Sequence, residues 1–268
     1  MVRTIPDLAV ALSAIALGAS AHAQTLASAN FASYANGDLV GQNGWLQYNT
    51  SATAPIQVVN GAVTWTGNGT PGSTVNNQDA VLAFSQQVTQ PAEGTTILNF
   101  DMLLSISSAG ASPSYFAALN TLTTTTTSGN FQNVRMVAQA SGSGFVFGTR
   151  VNGQTGYPLV YGTSVLNFNQ TYALRAEVNL VAGNANDFIN LYVGSSFNDL
   201  SLYGTAGYTT GTVADISVGA MLLSQFASGT AFESGVGIQS MSVSIVPAPG
   251  AVALLGVAGL AAGRRRRA

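Results

Sequence analysis

The segment Arg175-Ala176-Glu177-Val178-Asn179-Leu180-Val181 is followed, after Ala182-Gly183-Asn184-Ala185-Asn186-Asp187, by Phe188-Ile189-Asn190-Leu191-Tyr192-Val193. Polar and apolar residues alternate along the first run, the period-two pattern of a strand with one face in a core. The residues between the runs are turn formers, so the chain reads as two antiparallel strands joined by a hairpin loop.

Working outward, the same β-branched and aromatic signature, bounded by Gly, Asn, Pro or Ser, recurs at 56–59, 62–66, 80–88, 95–107, 115–122, 133–140, 145–151, 214–223 and 236–246. Within the fourth of these, Ile97-Leu98-Asn99-Phe100-Asp101-Met102-Leu103-Leu104 alternates imperfectly and reads as a central strand buried on both faces, with Asn99 and Asp101 on one side. The last run places Ile238, Ser240, Ser242 and Ser244 on one side and Gln239, Met241, Val243 and Ile245 on the other. It is expected to close a sheet beside the first strand. There is no repeat of fixed period, no heptad pattern and no amphipathic helix of ordinary length. About a dozen strands at this spacing predict an all-β, antiparallel jelly-roll sandwich.

Only 7% of the 268 residues are charged, and lysine and cysteine are both absent. The lack of cysteine excludes disulfides, thiolate metal sites and cysteine nucleophiles. A surface built from Ser, Thr, Asn, Gln and Gly suits an extracellular β protein. Low complexity is confined to 123–127, a threonine run that fits a loop, an edge strand or an O-glycosylated segment.

Arg3 precedes an apolar stretch over 8–19, and small residues follow at Ala21 and Ala23, the Ala-x-Ala pattern of signal cleavage. Residues 1–23 therefore read as a signal peptide, 24–246 as the sandwich and 247–268 as a separate tail. The lone histidine, His22, falls in the leader, which removes a serine triad of the usual form. From Gln24 to Pro249 three arginines face nine carboxylates, a net charge of −6. That balance disfavours nucleic acid as a partner.

Two stretches resemble known families. Between Phe31 and Trp45 the residues spell F-x-x-Y-x-x-G-x-L-x-G-Q-x-G-W, which resembles the opening of concanavalin A-like (laminin G-like) sandwich domains of secreted bacterial proteins. In that family, strands like 175–181 and 188–193 turn their polar face to solvent or to a concave groove. At the other end stand Val246, Pro247, Ala248 and Pro249, then a thirteen-residue apolar run over 251–263, then Arg264, Arg265, Arg266 and Arg267. The run is short against the roughly twenty residues of a relaxed membrane span, and the arginines would stay on the cytoplasmic side. This tail resembles the PEP-CTERM sorting signal of Gram-negative bacteria in a V-P-A-P variant, Ala248 standing where glutamate is usual. The resemblance implies a short apolar helix, transient residence in the inner membrane, and an exosortase-type membrane protease as partner.

The chemistry is sparse. Glycoside hydrolysis needs two carboxylates facing one cleft, and laminarinase-like enzymes of this fold place two glutamates on one strand as E-x-D-x-x-E. Here Glu93, Glu177 and Glu233 are each isolated, so no catalytic residue is expected and Glu177 reads as a surface residue. No cofactor is expected beyond calcium, for which Asn184, Asn186 and Asp187, with Asn198 and Asp199 further on, are weak oxygen-donor candidates that ordinary turn chemistry explains as well. Aromatic platforms for sugars would come from Trp45, Tyr48, Trp65, Tyr157 and Tyr161. The expectation is a noncatalytic secreted protein of the cell surface or extracellular matrix, sorted through its tail and contacting exopolysaccharide or another glycan. A glycan hydrolase or lyase, and a calcium-dependent lectin, stand as alternatives on the same fold.

Overall fold

The computed structural model describes residues 23–48, 55–65, 78–121, 132–151, 158–184, 186–207, 217–227 and 235–246. Residues 1–22 of the leader, Ala21 among them, the tail from Pro247, the threonine run, Tyr157 and Glu233 lie outside the described residues. Residues Ala23–Val246 form one compact unit. Among the described residues no helix is long and apolar enough to cross a membrane.

In chain order the strands are β1 (Gln24–Asn30), β2 (Gly37–Asp38), β3 (Leu46–Gln47), β4 (Ile56–Val59), β5 (Ala62–Trp65), β6 (Ala80–Val88), β7 (Thr95–Ser108) and β8 (Ser114–Asn120). They continue as β9 (Gln132–Ser141), β10 (Gly144–Val151), β11 (Val160–Tyr161), β12 (Thr171–Val181), β13 (Phe188–Gly194), β14 (Ser201–Gly207), β15 (Val218–Ala227) and β16 (Gly235–Val246). A 3-10 turn, Phe31–Ser33, follows β1. The larger sheet runs β14-β13-β12-β7-β16-β5-β4-β2, with β1 also on β16, and the smaller runs β11-β10-β9-β8-β15-β6-β3. Every pairing is antiparallel, and the chain is an all-β jelly-roll sandwich.

Alternation explains why these segments form strands of a two-layer protein. On β7, Leu98, Phe100, Met102, Leu104 and Ile106 are fully buried, whereas Asn99, Asp101, Leu103 and Ser105 are half-buried on the other side. The expectation that β7 is buried on both faces is therefore corrected: Leu103 breaks the polar phase, but one face alone belongs to the core. The core joins the sheets through aromatic rings. Tyr172 on β12 meets Phe145 and Phe147 on β10, with ring centroids 6.0 and 6.4 Å apart, and Phe147 also packs 6.0 Å from Phe116 on β8.

The last strand needs a second correction. Its register against β7 shifts between Ile238 and Ser240, so Gln239 is a bulge residue and the side-chain phase inverts there. Ile238 consequently shares the buried face with Met241 and Val243, not the serine face. The bulge has a cause in the pairing. One edge of β16 runs along β7, but its other edge pairs β5 at Gly237 and Ile238 and then β1 from Ser240 to Ile245. Pairing of the last strand with the first matches the sequence reading.

The glycine-rich stretch before β3 is held by one side chain. Gln42 accepts from the Ala35 N–H at 3.0 Å and donates to the carbonyls of Ala35 and Asp38 at 3.0 and 2.8 Å. Gly41 and Gly44 there have φ of +94° and +86°, which L side chains rarely adopt. Trp45 is thereby delivered into the core beside Phe31, 6.1 Å between ring centroids.

Candidate functional site

The outer face of the larger sheet brings Arg175, Asp101 and Glu177 together on neighbouring strands. Residues directly opposed in an antiparallel pair share a face, so the registers define two rows. One consists of Thr205, Asn190, Glu177, Asn99 and Ser244. The next consists of Leu202, Tyr192, Arg175, Asp101 and Ser242.

Hydrogen bonds run along the first row. Thr205 Oγ1 donates to Asn190 Oδ1 at 2.9 Å, and Asn190 Nδ2 donates to Glu177 Oε1 at 3.0 Å. Beyond the end of that line, the buried Oδ1 of Asn99 meets no donor among the described residues. A buried acceptor without a donor is costly.

In the second row Arg175 forms a bidentate ion pair with Asp101, Nε to Oδ1 at 2.7 Å and Nη2 to Oδ2 at 2.8 Å. Side-chain exposures of 28% and 18% make this pair half-buried, which favours the planar fork of arginine over a flexible ammonium. The Asp101 hydrogen bonds hold the Arg175 pKa above the usual arginine value. Burial, with the negative charge of Glu177, raises the Tyr192 pKa. Over Arg175 lies the exposed ring of Phe197, its centroid 6.0 Å from Cζ.

Phe197 is presented by a tight loop between β13 and β14. Asp199 accepts from Ser195 Oγ at 2.5 Å, from the Ser196 N–H at 2.6 Å and from Ser196 Oγ at 2.9 Å. Position 194 requires glycine, because a Cβ there would stand 2.8 Å from both the Asp199 carbonyl and its carboxylate. The serine hydroxyls and amides hold the Asp199 carboxyl down at about 2. A depressed carboxylate contributes order that is complete above the unfolded value near 4 and lost as pH falls through the folded one. Melting temperature followed from pH 5 to pH 2 should therefore fall more steeply for the wild type than for Asp199→Asn. Parallel curves would contradict this role.

Where the phase of β16 inverts, the same face opens into a hollow of about 540 Å³ lined by Asn30, Asn60, Gly61, Leu103, Gln239 and Ser240. Leu103 and Ser240 are register partners one step beyond Asp101 and Ser242, which makes the hollow continuous with the polar rows.

The residues singled out from sequence fall elsewhere. Trp45 is fully buried, and Trp65 is 9% exposed with its Nε1 donating to the Ser224 carbonyl at 3.1 Å. Neither offers a ring face to a sugar: their area is used in the core. Tyr48 is buried with Val81, Ala118, Ala220 and Leu222 on the outer side of the smaller sheet. Tyr161, half-buried on that same side, does reach the surface. In the β12–β13 turn, Asp187 is buried and accepts from the Val181 N–H at 2.8 Å, while Asn186 Nδ2 donates to the Ala182 carbonyl at 2.7 Å and Asn184 is exposed. These are turn-closing bonds, and among the described residues no cluster of three metal-ligating acids or histidines occurs. Glu93 is exposed and Ala23 is exposed at the head of β1. Val246 is the last residue of β16, paired with Ile97.

Sequence reasoning missed Asn190, Tyr192, Asp101, Phe197 and Thr205 as one site. A signal existed for the first two: they share the even-numbered phase of 188–193, which opposes the polar phase of 175–179 across the hairpin. Nothing local announced that β7 would bring Asp101 to Arg175.

No family model matches the chain, and no curated protein matches it. Solved structures do. A double mutant of alginate lyase Aly36B in complex with alginate trisaccharide superposes with a TM-score of 0.51 at 11% identity, covering 84% of this chain and 99% of that one. A bifunctional GH43-CE protein of Bacteroides eggerthii gives 0.52 at 10% identity, covering 84% of this chain and 26% of the other. The likeness is one of fold. The metal-free carbohydrate recognition domain of Emp46p aligns at a TM-score of 0.45 and 10% identity, over 80% of this chain and 94% of that domain.

Proposed function

We propose that this is a noncatalytic glycan-contacting protein of the cell surface or extracellular matrix, and that it binds sugar on the outer face of the larger sheet. The observation carrying this reading is the paired rows. Tyr192 and Phe197 supply apolar area beside Thr205, Asn190 and Glu177, whose donors and acceptors are fixed in a hydrogen-bonded line. Sugars are recognised by this combination of ring stacking and preorganised amide and carboxylate partners. A glycan array of the full-length protein should return neutral or acidic oligosaccharides, and the signal should be lost in the Asn190→Ala, Tyr192→Ala double variant. Signal retained in that variant would count against this face.

A hydrolase or lyase is the second reading, because Asp101 and Glu177 stand on neighbouring strands with side chains on one face. Against hydrolysis, both oxygens of Asp101 are taken up by Arg175, so Asp101 is not free to pair with Glu177 as the two carboxyls that glycoside cleavage needs.

The route to the surface rests on the leader and the V-P-A-P tail. Mass spectrometry of the native protein should find a chain starting near Gln24 and lacking Arg264 to Arg267. An intact carboxy terminus would contradict processing by an exosortase-type enzyme.

A further inference from the structure

Two more arginines meet on the outer face of the smaller sheet. Arg135 on β9 and Arg150 on β10 are direct register partners, an arrangement of like charges that antiparallel pairs ordinarily avoid. Arg135 is only 6% exposed, and its Nε and Nη2 have no acceptor among the described residues. Its guanidinium carbon lies 5.2 Å over the ring of Tyr115. The groups that act on its charge are Tyr115 and Arg150, with no carboxylate among them. Burial lowers its pKa, an effect that Tyr115 opposes and Arg150 reinforces.

The neighbouring pair shapes the edge of this spot. Gly148 faces Val137 on one side and Tyr161 on the other. A Cβ at 148 would stand 2.8 Å from Tyr161 Cδ1 and 2.9 Å from Val137 Cγ2, so the missing side chain lets Tyr161 lie against the sheet beside the arginines. Tyr161 and Arg150 are half-buried and open the spot to solution, while Arg135 forms its floor. A buried guanidinium with two unmet donors is expensive unless a partner of opposite charge completes it. Within a body of three arginines and net charge −6, bringing two of them together selects for an anion.

We propose that Arg135 and Arg150, framed by Tyr115 and Tyr161, bind an oxyanion, a carboxylate or sulfate group of the kind acidic polysaccharides carry. The guanidinium fork of Arg135 supplies the paired donors, and Arg150 supplies the second charge from the rim. This site is separate from the polar rows of the larger sheet and stands or falls independently of them.

Thermal unfolding of the full-length protein in sodium sulfate, against sodium chloride at equal ionic strength, tests the site. Sulfate should raise the melting temperature saturably, by about 5 °C at a hundredfold excess over its dissociation constant. Arg135→Met should unfold cooperatively and lose that increment. Should Arg135→Met fail to fold, Arg150→Met is expected to weaken half-saturation about tenfold. Equal shifts in the two salts, or a saturable sulfate shift that survives in the variants, would overturn the proposal. An oligomeric uronic acid that half-saturates at a lower concentration than its monomer identifies a polysaccharide-borne group, and equal half-saturation identifies a free small anion. A wild type indifferent to uronate and sulfate alike overturns both.

Discussion

Truncating Phe100 to alanine is expected to destabilise the protein by about 3–5 kcal/mol, since a fully buried ring at the middle of β7 leaves a cavity that the two sheets cannot close. Strand β7 lies between β12 and β16, the longest pairings of the larger sheet, and its inward residues face the rings of the smaller one. For a body of this size the loss amounts to a fall in melting temperature of about 10 °C. Guanidinium titration of the wild type and Phe100→Ala would measure it. A cost below about 1 kcal/mol would mean that β7 does not hold the centre of the core.

The second large effect is expected at the Arg175–Asp101 pair. Replacing Asp101 by alanine leaves the Arg175 guanidinium half-buried without its bidentate acceptor, which should cost about 2–3 kcal/mol, less than for a fully buried pair because both side chains retain some water. Replacing both residues together, Arg175→Met with Asp101→Leu, should recover most of that loss, since apolar groups of similar volume carry no desolvation penalty. A double-mutant cycle in urea separates the two contributions. Additive single-variant costs would show that the residues do not act as a pair.

These two predictions indicate what was legible beforehand. The all-β class and most long strands could be read because alternation and β-branched content are local signals, and the hairpin from Arg175 to Val193 registers as its phases require. The phase of β16 could not be read, because the bulge at Gln239 arises where one edge passes from β5 to β1, a fact of tertiary pairing. Strand β14, Ser201–Gly207, has two glycines and little β-branched content, and it is a strand because β13 pairs with it. The chosen aromatics failed as surface candidates for an energetic reason: Trp45 and Trp65 have more apolar area to bury than any competing side chain nearby. The site itself is non-local. Asp101 and Arg175 are 74 residues apart and meet only because β7 and β12 are neighbours.

The central claim is that the polar rows on the larger sheet are the glycan-contacting surface. Calorimetric titration of one array-selected neutral oligosaccharide, which carries no group for the arginine site, into wild type, Tyr192→Ala and Tyr161→Ala addresses it directly. Affinity lost tenfold or more in Tyr192→Ala and kept in Tyr161→Ala, with melting temperatures close to wild type, is the predicted result. Affinity kept in Tyr192→Ala and lost in Tyr161→Ala would contradict the claim and move the surface to the smaller sheet.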